Sequence, residues 1–232
     1  MPLLAIIGAG PGLGLSLARR FGREGFTIAL VSRDQAGHDV LVALLARDGI
    51  VAQGHSADVT EPASLTAALG LIERDLGPID VLEYSPKPGA NAAELAPVAS
   101  TEMTVADVSP QLQYYLFGGI TAIQGVLPQM RRRGSGTILV TTGASSGPVQ
   151  HPPFGNIAAA SGALRNWVLN LHEALRAEGV YVAHIALAAW IGKGGPDSDP
   201  DRIADQYWRL YQDRQQPELF WVDATIGQEK SD

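Results

Sequence analysis

The stretch from Leu3 to Val31 restricts this chain more than any other. An apolar run of strand length, Leu3-Leu4-Ala5-Ile6-Ile7, passes directly into Gly8-Ala9-Gly10-Pro11-Gly12-Leu13-Gly14. Leu15, Leu17, Ala18 and Phe21 then recur at helical spacing, Gly25 closes that helix, and Thr27-Ile28-Ala29-Leu30-Val31 reads as a second buried strand. Strand, glycine turn, helix and strand make a βαβ unit. Its turn lets backbone come close to a pyrophosphate while the first N–H groups of the helix point at the anion.

The remaining length is filled in kind. At 232 residues, with 46% hydrophobic and 18% charged, the chain can bury the core of one large α/β domain and is not disordered. A net charge of -7 argues against nucleic acid as a partner, and Arg131-Arg132-Arg133 is most simply a helix C-terminus. The absence of cysteine excludes disulfides, thiolate catalysis and cysteine metal sites, and five scattered histidines lack paired metal-ligand spacing. No apolar stretch reaches membrane-spanning length, and the first strand is too short for a secretory segment, so a cytoplasmic protein is expected.

In chain order, the patterning predicts a helix from Gln35 to Asp48, a third strand from Ile50 to Gly54, a helix through Leu65, Leu69 and Ile72, and a fourth strand from Ile79 to Leu82. Gly89 to Thr104 reads as an Ala/Pro-rich loop. Val108 to Met130 reads as a long helix, Thr137 to Thr141 as the fifth strand, and Ile157 to Ala177 as a second long helix. Tyr181 to Ala186 follows as the sixth strand. Lys193 to Asp201 starts a mobile lid that reaches to about residue 215, with Ile203 to Tyr211 as its helix. Leu219 to Val222 is a last edge strand.

The glycine turn, with Leu13 where the last glycine of G-x-G-x-x-G would stand, resembles that of the short-chain dehydrogenase/reductase family. So do several later segments: His55-Ser56-Ala57-Asp58-Val59-Thr60, Leu116-x-Gly118, Thr142-Gly143-Ala144-Ser145-Ser146-Gly147, the small-residue helix from Asn156 to Leu164, and Ala188-Ala189-Trp190-Ile191. The resemblance runs from Leu3 to about Val222. It implies a single Rossmann-like, doubly wound parallel sheet of about seven strands with helices on both faces, forming one NAD(P)-binding domain. Gly8, Gly10, Pro11, Gly12, Leu13 and Gly14 would cradle the cofactor phosphates, with Asp58 and Val59 at the adenine. Asp58 reads equally as the N-cap of the following helix. Tyr84, Ser85 and Pro86, standing where the family has Asn-Asn-Ala-Gly, would lie near the adenosine or ribose, and Ile191 near the nicotinamide. The two long helices would pack against copies of themselves in a homodimer or homotetramer.

Ser32 and Arg33 end the second strand. A hydroxyl and a guanidinium there suit a 2′-phosphate, whereas a carboxylate would bind the ribose hydroxyls of NAD; Asp34 is that competing carboxylate, one place late. NADP is therefore expected over NAD.

The same resemblance fails at the four catalytic positions, which hold Tyr115, Ala144, Ile157 and Ser161. Neither isoleucine nor serine can replace the family's phenol and the ammonium that lowers its pKa. Tyr115 and Ser145 are the first candidates for a proton donor, with Tyr84 and His151 behind them, while His184 reads as a core histidine. Three functions stay open: an NADP-dependent oxidoreductase with a rearranged site, a non-catalytic NADP-binding sensor or partner protein, and a non-redox biosynthetic cyclase or isomerase using the same cleft. The substrate is a small molecule, apolar or ring-containing given Tyr207, Trp208 and Tyr211.

Overall fold

A computed structural model describes residues 1–87 and 92–226. Seven parallel strands form one sheet in the order β3-β2-β1-β4-β5-β6-β7: β1 Leu3–Ile7, β2 Thr27–Ser32, β3 Ala52–Ser56, β4 Val81–Tyr84, β5 Gly136–Gly143, β6 Val180–Ala188 and β7 Glu218–Val222. Seven α-helices connect them: α1 Leu13–Gly22, α2 Gln35–Arg47, α3 Pro62–Leu76, α4 Val105–Gln111, α5 Gly118–Arg133, α6 Gly155–Leu175 and α7 Pro200–Asp213. Strand alternation divides the core. Leu3, Ala5 and Ile7 face α3, α5 and α6, while Leu4 and Ile6 face α1, α2 and α7. Both faces are covered, which is why β1 reads as an unbroken apolar run and β6 as one interrupted only by His184. No helix among the described residues is long and apolar enough to cross a membrane.

Three local differences from the sequence reading have physical causes. The third strand begins at Ala52 because Ile50 is buried in the turn after α2, where its N–H donates to the Leu45 carbonyl. The expected long helix is three pieces: α4 and α5 are joined by a π-helical stretch, Leu112–Phe117, that carries Tyr114 and Tyr115. The stretch expected as a lid divides in two. Its helix, α7, packs on α1, with Trp208 edge-on to Phe21 at 5.1 Å and beneath the Arg20 guanidinium at 4.7 Å. Its loop is tied to the end of β7: Trp221 Nε1 donates to the Asp197 carbonyl at 2.7 Å, and the Ser198 hydroxyl donates to the buried Asp223 carboxylate. Of the loop expected from Gly89 to Thr104, residues 89–91 lie outside the described residues, as does the polar tail beyond 226.

Candidate functional site

The glycine turn lies at the carboxyl end of β1, beside that of β4 and near the segment that follows β6. Gly8 adopts φ +105°, and a Cβ there would come within 2.5 Å of the Ser85 carbonyl oxygen and 2.6 Å of Pro86 Cα, so β4's exit is packed directly on the turn. A Cβ on Gly14 would come within 3.1 Å of Ala9 Cα, the close approach that seats α1 on its strand. Gly10 faces open space instead, and the position a Gly12 Cβ would take is 3.9 Å from Ile191 Cγ2. Gly12 caps α1 without any side-chain hydrogen bond, and the first turn of α1 holds no acid. Backbone donors at an uncapped helix start, below open glycine surface, fit a dinucleotide's phosphates. The structure thus brings Gly8 to Gly14, Ser85, Pro86 and Ile191 together.

The far end of this trough is built at β2. Ser32 Oγ and His38 Nε2 share a hydrogen bond of 2.7 Å, which fixes the serine rotamer from α2. His38 is buried, its Nδ1 has no hydrogen-bond partner among the described residues, and desolvation pulls its pKa below the ordinary imidazole value against the opposing charges of Asp34 and Asp39. Arg33 is exposed and stands 3.8 Å from Asp58. Asp34 is the N-cap of α2, accepting the Gly37 N–H at 2.9 Å. Asp58 Oδ1 accepts the N–H and the hydroxyl of Thr60 at 2.9 and 2.7 Å and shapes the turn with Val59. The N-cap of α3 is Glu61, so Asp58 does not fill the capping role considered for it.

The end of β4 departs from expectation. Tyr84 is fully buried, and its hydroxyl donates to the Tyr114 carbonyl at 2.8 Å, inside the π-helical stretch. A Cβ on Gly118 would lie 2.5 Å from the Tyr84 hydroxyl, so that glycine makes room for the ring. Tyr84's phenol therefore stands in the core with its hydrogen committed to Tyr114, which leaves it no surface to offer the adenosine contact or donor role expected of it, and burial pushes its pKa well up. On the opposite face of β4, Glu83 is also buried. Its carboxyl accepts the Ser85 hydroxyl at 2.8 Å and the Thr141 hydroxyl at 2.9 Å, and Thr141 shares a further bond of 2.6 Å with Tyr207 of α7. Burial outweighs those hydroxyls and pushes Glu83 up to about 8.

Around the positions where the resemblance places the family's catalytic residues, Ala144 is buried in a 3-10 turn, Ala144–Ser146, that follows β5. Ile157 is half-buried on α6, and the buried Ser161 donates its hydroxyl to the Ile157 carbonyl at 2.7 Å. Tyr115 is half-buried, stacks edge-on against Tyr114 at 5.3 Å and packs on the α5–α6 core; burial raises its pKa, which weakens it as a partner for proton exchange near neutral pH. Ser145 is half-buried, and His151 is exposed and stacks on Phe154 at 4.5 Å, in the segment before α6.

A chain of polar side chains beneath this turn went unread in the sequence. Thr142 donates to Ser146 Oγ at 2.9 Å and shares a bond of 2.8 Å with His184 Nε2. His184 Nδ1 lies 2.9 Å from Glu218 Oε1, and Arg165 of α6 grips both Glu218 oxygens at 2.6 Å. Burial lowers the His184 pKa while Glu218 opposes the shift, and the Arg165 guanidinium holds Glu218 below the usual carboxylate range. His184 was visible as a polar residue inside an apolar strand. Its partners lie 42 and 34 residues away, and only the strand order joins them.

Comparison with known proteins agrees with this architecture. Residues 3–190 match the family model described as short chain dehydrogenase. The chain is 30% identical over 206 residues to a 2-(S)-hydroxypropyl-CoM dehydrogenase of Xanthobacter autotrophicus, covering 86% of this chain and 78% of that protein. It is 29% identical over 225 residues to a galactitol 2-dehydrogenase of Cereibacter sphaeroides, covering 95% and 79%. Among solved structures, a variant actinorhodin polyketide ketoreductase with NADPH superposes with a TM-score of 0.83 at 19% identity, covering 97% of each chain. A short-chain oxidoreductase of Pseudomonas aeruginosa with NADPH, described as containing an atypical catalytic center, gives 0.83 at 18% identity, covering 96% of each. These two likenesses concern the fold. The chain belongs to the short-chain dehydrogenase/reductase family.

Proposed function

We propose that this member of the family is an NADP(H)-dependent oxidoreductase acting on a small molecule, with a proton donor other than the family's tyrosine. The observation that carries the cofactor reading is the division of labour after β2. Asp34 turns into α2 as its N-cap, which leaves the Ser32 hydroxyl and the Arg33 guanidinium to meet a 2′-phosphate. Gly8 to Gly14 and the first turn of α1 hold the pyrophosphate, Ser85 and Pro86 border the ribose, Asp58 and Val59 border the adenine, and Ile191 packs over the ring. Bound NADPH supplies the hydride, so placement is most of what the protein must add for that half of the reaction. The loop at 192–199, held by Asp223 and Trp221, roofs the open end of the cleft. The faces of α5 and α6, the latter rich in Ala158, Ala159, Gly162 and Ala163, join copies of the chain into a dimer or tetramer.

A non-catalytic NADP-binding role is the second reading, favoured by one observation. Ile157 and Ser161 occupy the proton-transfer positions, and Ser161 is hydrogen-bonded into its own helix. Titrating NADPH and NADH by fluorescence, followed by a carbonyl and enone screen, separates the two. Preferential NADPH binding with turnover supports the enzyme, binding without turnover supports the sensor, and preference for NADH removes the cofactor assignment.

A further inference from the structure

We propose that Ser146 delivers the proton to the reacting oxygen during carbonyl reduction, and that Thr142 and the His184–Glu218 pair resupply it. The proposal deepens the oxidoreductase reading above and rests on it.

The geometry has a direction. A hydroxyl owns one hydrogen, and that of Thr142 has two acceptors in reach, Ser146 Oγ at 2.9 Å and the Gly143 carbonyl at 3.1 Å, the shorter contact running to Ser146. With the hydrogen on that contact, the 2.8 Å bond between Thr142 and His184 is donated by Nε2–H. On the other side of the ring, Nδ1 faces the Glu218 carboxylate at 2.9 Å, and that contact also needs a hydrogen on nitrogen. When the ring is protonated both nitrogens donate, Nδ1 to Glu218 and Nε2 to Thr142, and the hydrogen bonds from His184 onward point toward Ser146; burial favours the neutral ring at rest, so this is the loaded state of the relay. His184 is 0% exposed, whereas Glu218 and its partner Arg165 reach the surface. The charged groups facing the ring are Glu218 from β7 and Arg165 from α6; β5 contributes only the Thr142 hydroxyl. One end of the chain meets solvent. The other ends in the turn that holds Ala144, with a Cβ on Gly162 of α6 only 3.2 Å from the Ser146 carbonyl oxygen. Ser146 therefore closes the chain two residues after Ala144 and against α6, the helix that carries Ile157 and Ser161.

The step balances as follows. Bound NADPH would supply the hydride that forms the new C–H bond at the carbonyl carbon, with the C=O π pair moving to oxygen. That oxygen takes the Ser146 proton, Ser146 takes the Thr142 proton, and Thr142 takes the proton from His184 Nε2. The imidazole is left neutral with Nδ1–H on Glu218, and one proton enters from solvent at the Glu218 edge. Carbonyl, NADPH and one proton become alcohol and NADP.

The test uses the full chain. Without cofactor, ¹⁵N-histidine NMR follows the His184 ring across pH, and the expected spectrum shows both nitrogens protonated on the acid side of its transition. In single turnover with NADPH and a carbonyl found by screening, the rate falls on the alkaline side of that same transition. Ser146→Ala and Thr142→Val each slow it by about 10²–10⁴-fold while NADPH affinity holds, and Thr142→Ser recovers part of what Thr142→Val loses. Variants that keep the wild-type rate, or a pH profile that ignores the His184 transition, overturn the donor assignment alone. Wild type that binds NADPH yet reduces nothing overturns the oxidoreductase reading and the donor with it.

Discussion

Asp34 accepts the Gly37 N–H at 2.9 Å, so the carboxylate nearest the end of β2 closes the first turn of α2 while Arg33, one residue earlier, remains 56% exposed. In this arrangement the cation is available to a ligand and the anion is committed to the fold. Arg33→Ala is expected to weaken NADPH binding by roughly 10- to 100-fold, the range for one charge-assisted hydrogen bond, and to leave NADH binding unchanged. Isothermal titration of both nucleotides checks it. An equal loss for both would place Arg33 outside the 2′-phosphate contact.

The same geometry separates Asp34 from cofactor choice. Removing an N-cap carboxylate costs about 1 kcal/mol, so Asp34→Ala should lower the denaturation midpoint and Asp34→Asn should largely preserve it. Neither should alter the ratio of NADPH to NADH affinity. A swing in that ratio toward NADPH would show the carboxylate reaching the ribose after all.

Glu83 makes stability depend on pH in a stated direction. Burial raises its pKa to about 8, so between the unfolded carboxyl value of about 4.5 and 8 the folded chain holds a proton that the unfolded chain has lost. Stability contributed by the neutral acid is complete below about 4.5, declines as pH rises, and is gone above about 8, a change of a few kcal/mol. Glu83→Gln keeps the hydrogen-bonding shape without the titration. Its melting temperature should fall less than that of wild type between pH 5 and pH 9, and parallel curves would remove Glu83 as the cause.

Asp223 works in the opposite sense. The Ser198 hydroxyl first, and then the Thr225 N–H, hold its carboxyl at about 2, below the usual value, so its grip on the loop at 192–199 is present at neutral pH and lost as pH falls toward 2. Asp223→Ala should release that loop. Trypsin cleavage after the exposed Lys193 is the readout, and an unchanged cleavage rate would mean that Trp221 and the backbone alone hold the segment.

What the sequence disclosed and what it hid divide by range. The βαβ opening and the places of the strands follow from local periodicity and from glycines with one geometric use, and the parallel sheet from the family resemblance that those segments carry, so they were legible. Register defeats such reading where a side chain's face decides its role. Tyr84 sits on the core side of β4 and Glu83 on the other, and no local pattern says which of two adjacent polar residues is swallowed by the π-helical stretch at Leu112–Phe117. Gln111 is a similar case: its amide is fully buried and without a hydrogen-bond partner among the described residues, although its spacing marks it as an ordinary helix residue. The chain from Arg165 to Ser146 needs β5, β6, β7 and α6 in place before its members touch. Sequence separations of 53, 34 and 42 residues hide it completely.

Ile157 and Ser161, which the proposed function sets at the proton-transfer positions, give the last prediction. Ile157 is half-buried, so a tyrosine ring there can extend along the cleft without displacing core. Ser161 is 1% exposed, and its hydroxyl is satisfied at 2.7 Å by the Ile157 carbonyl. A lysine at 161 must carry an ammonium out of a buried position, and desolvation penalises that charge. Ser161→Lys alone should therefore lower the melting temperature by several degrees, about 2–4 °C for each kcal/mol lost in a chain of this size. Ile157→Tyr alone should be tolerated but offer a phenol near its ordinary pKa of about 10, too basic to release a proton readily at neutral pH. Joined, the two restore an ammonium beside a phenol, and carbonyl reduction with NADPH should rise above wild type despite the lower melting temperature. The rise requires the dinucleotide ring to lie between Ile191 and residue 157. If the double variant loses stability and gains no rate while NADPH affinity is retained, the ring is held elsewhere, and the placement drawn from Gly12 and Ile191 is wrong.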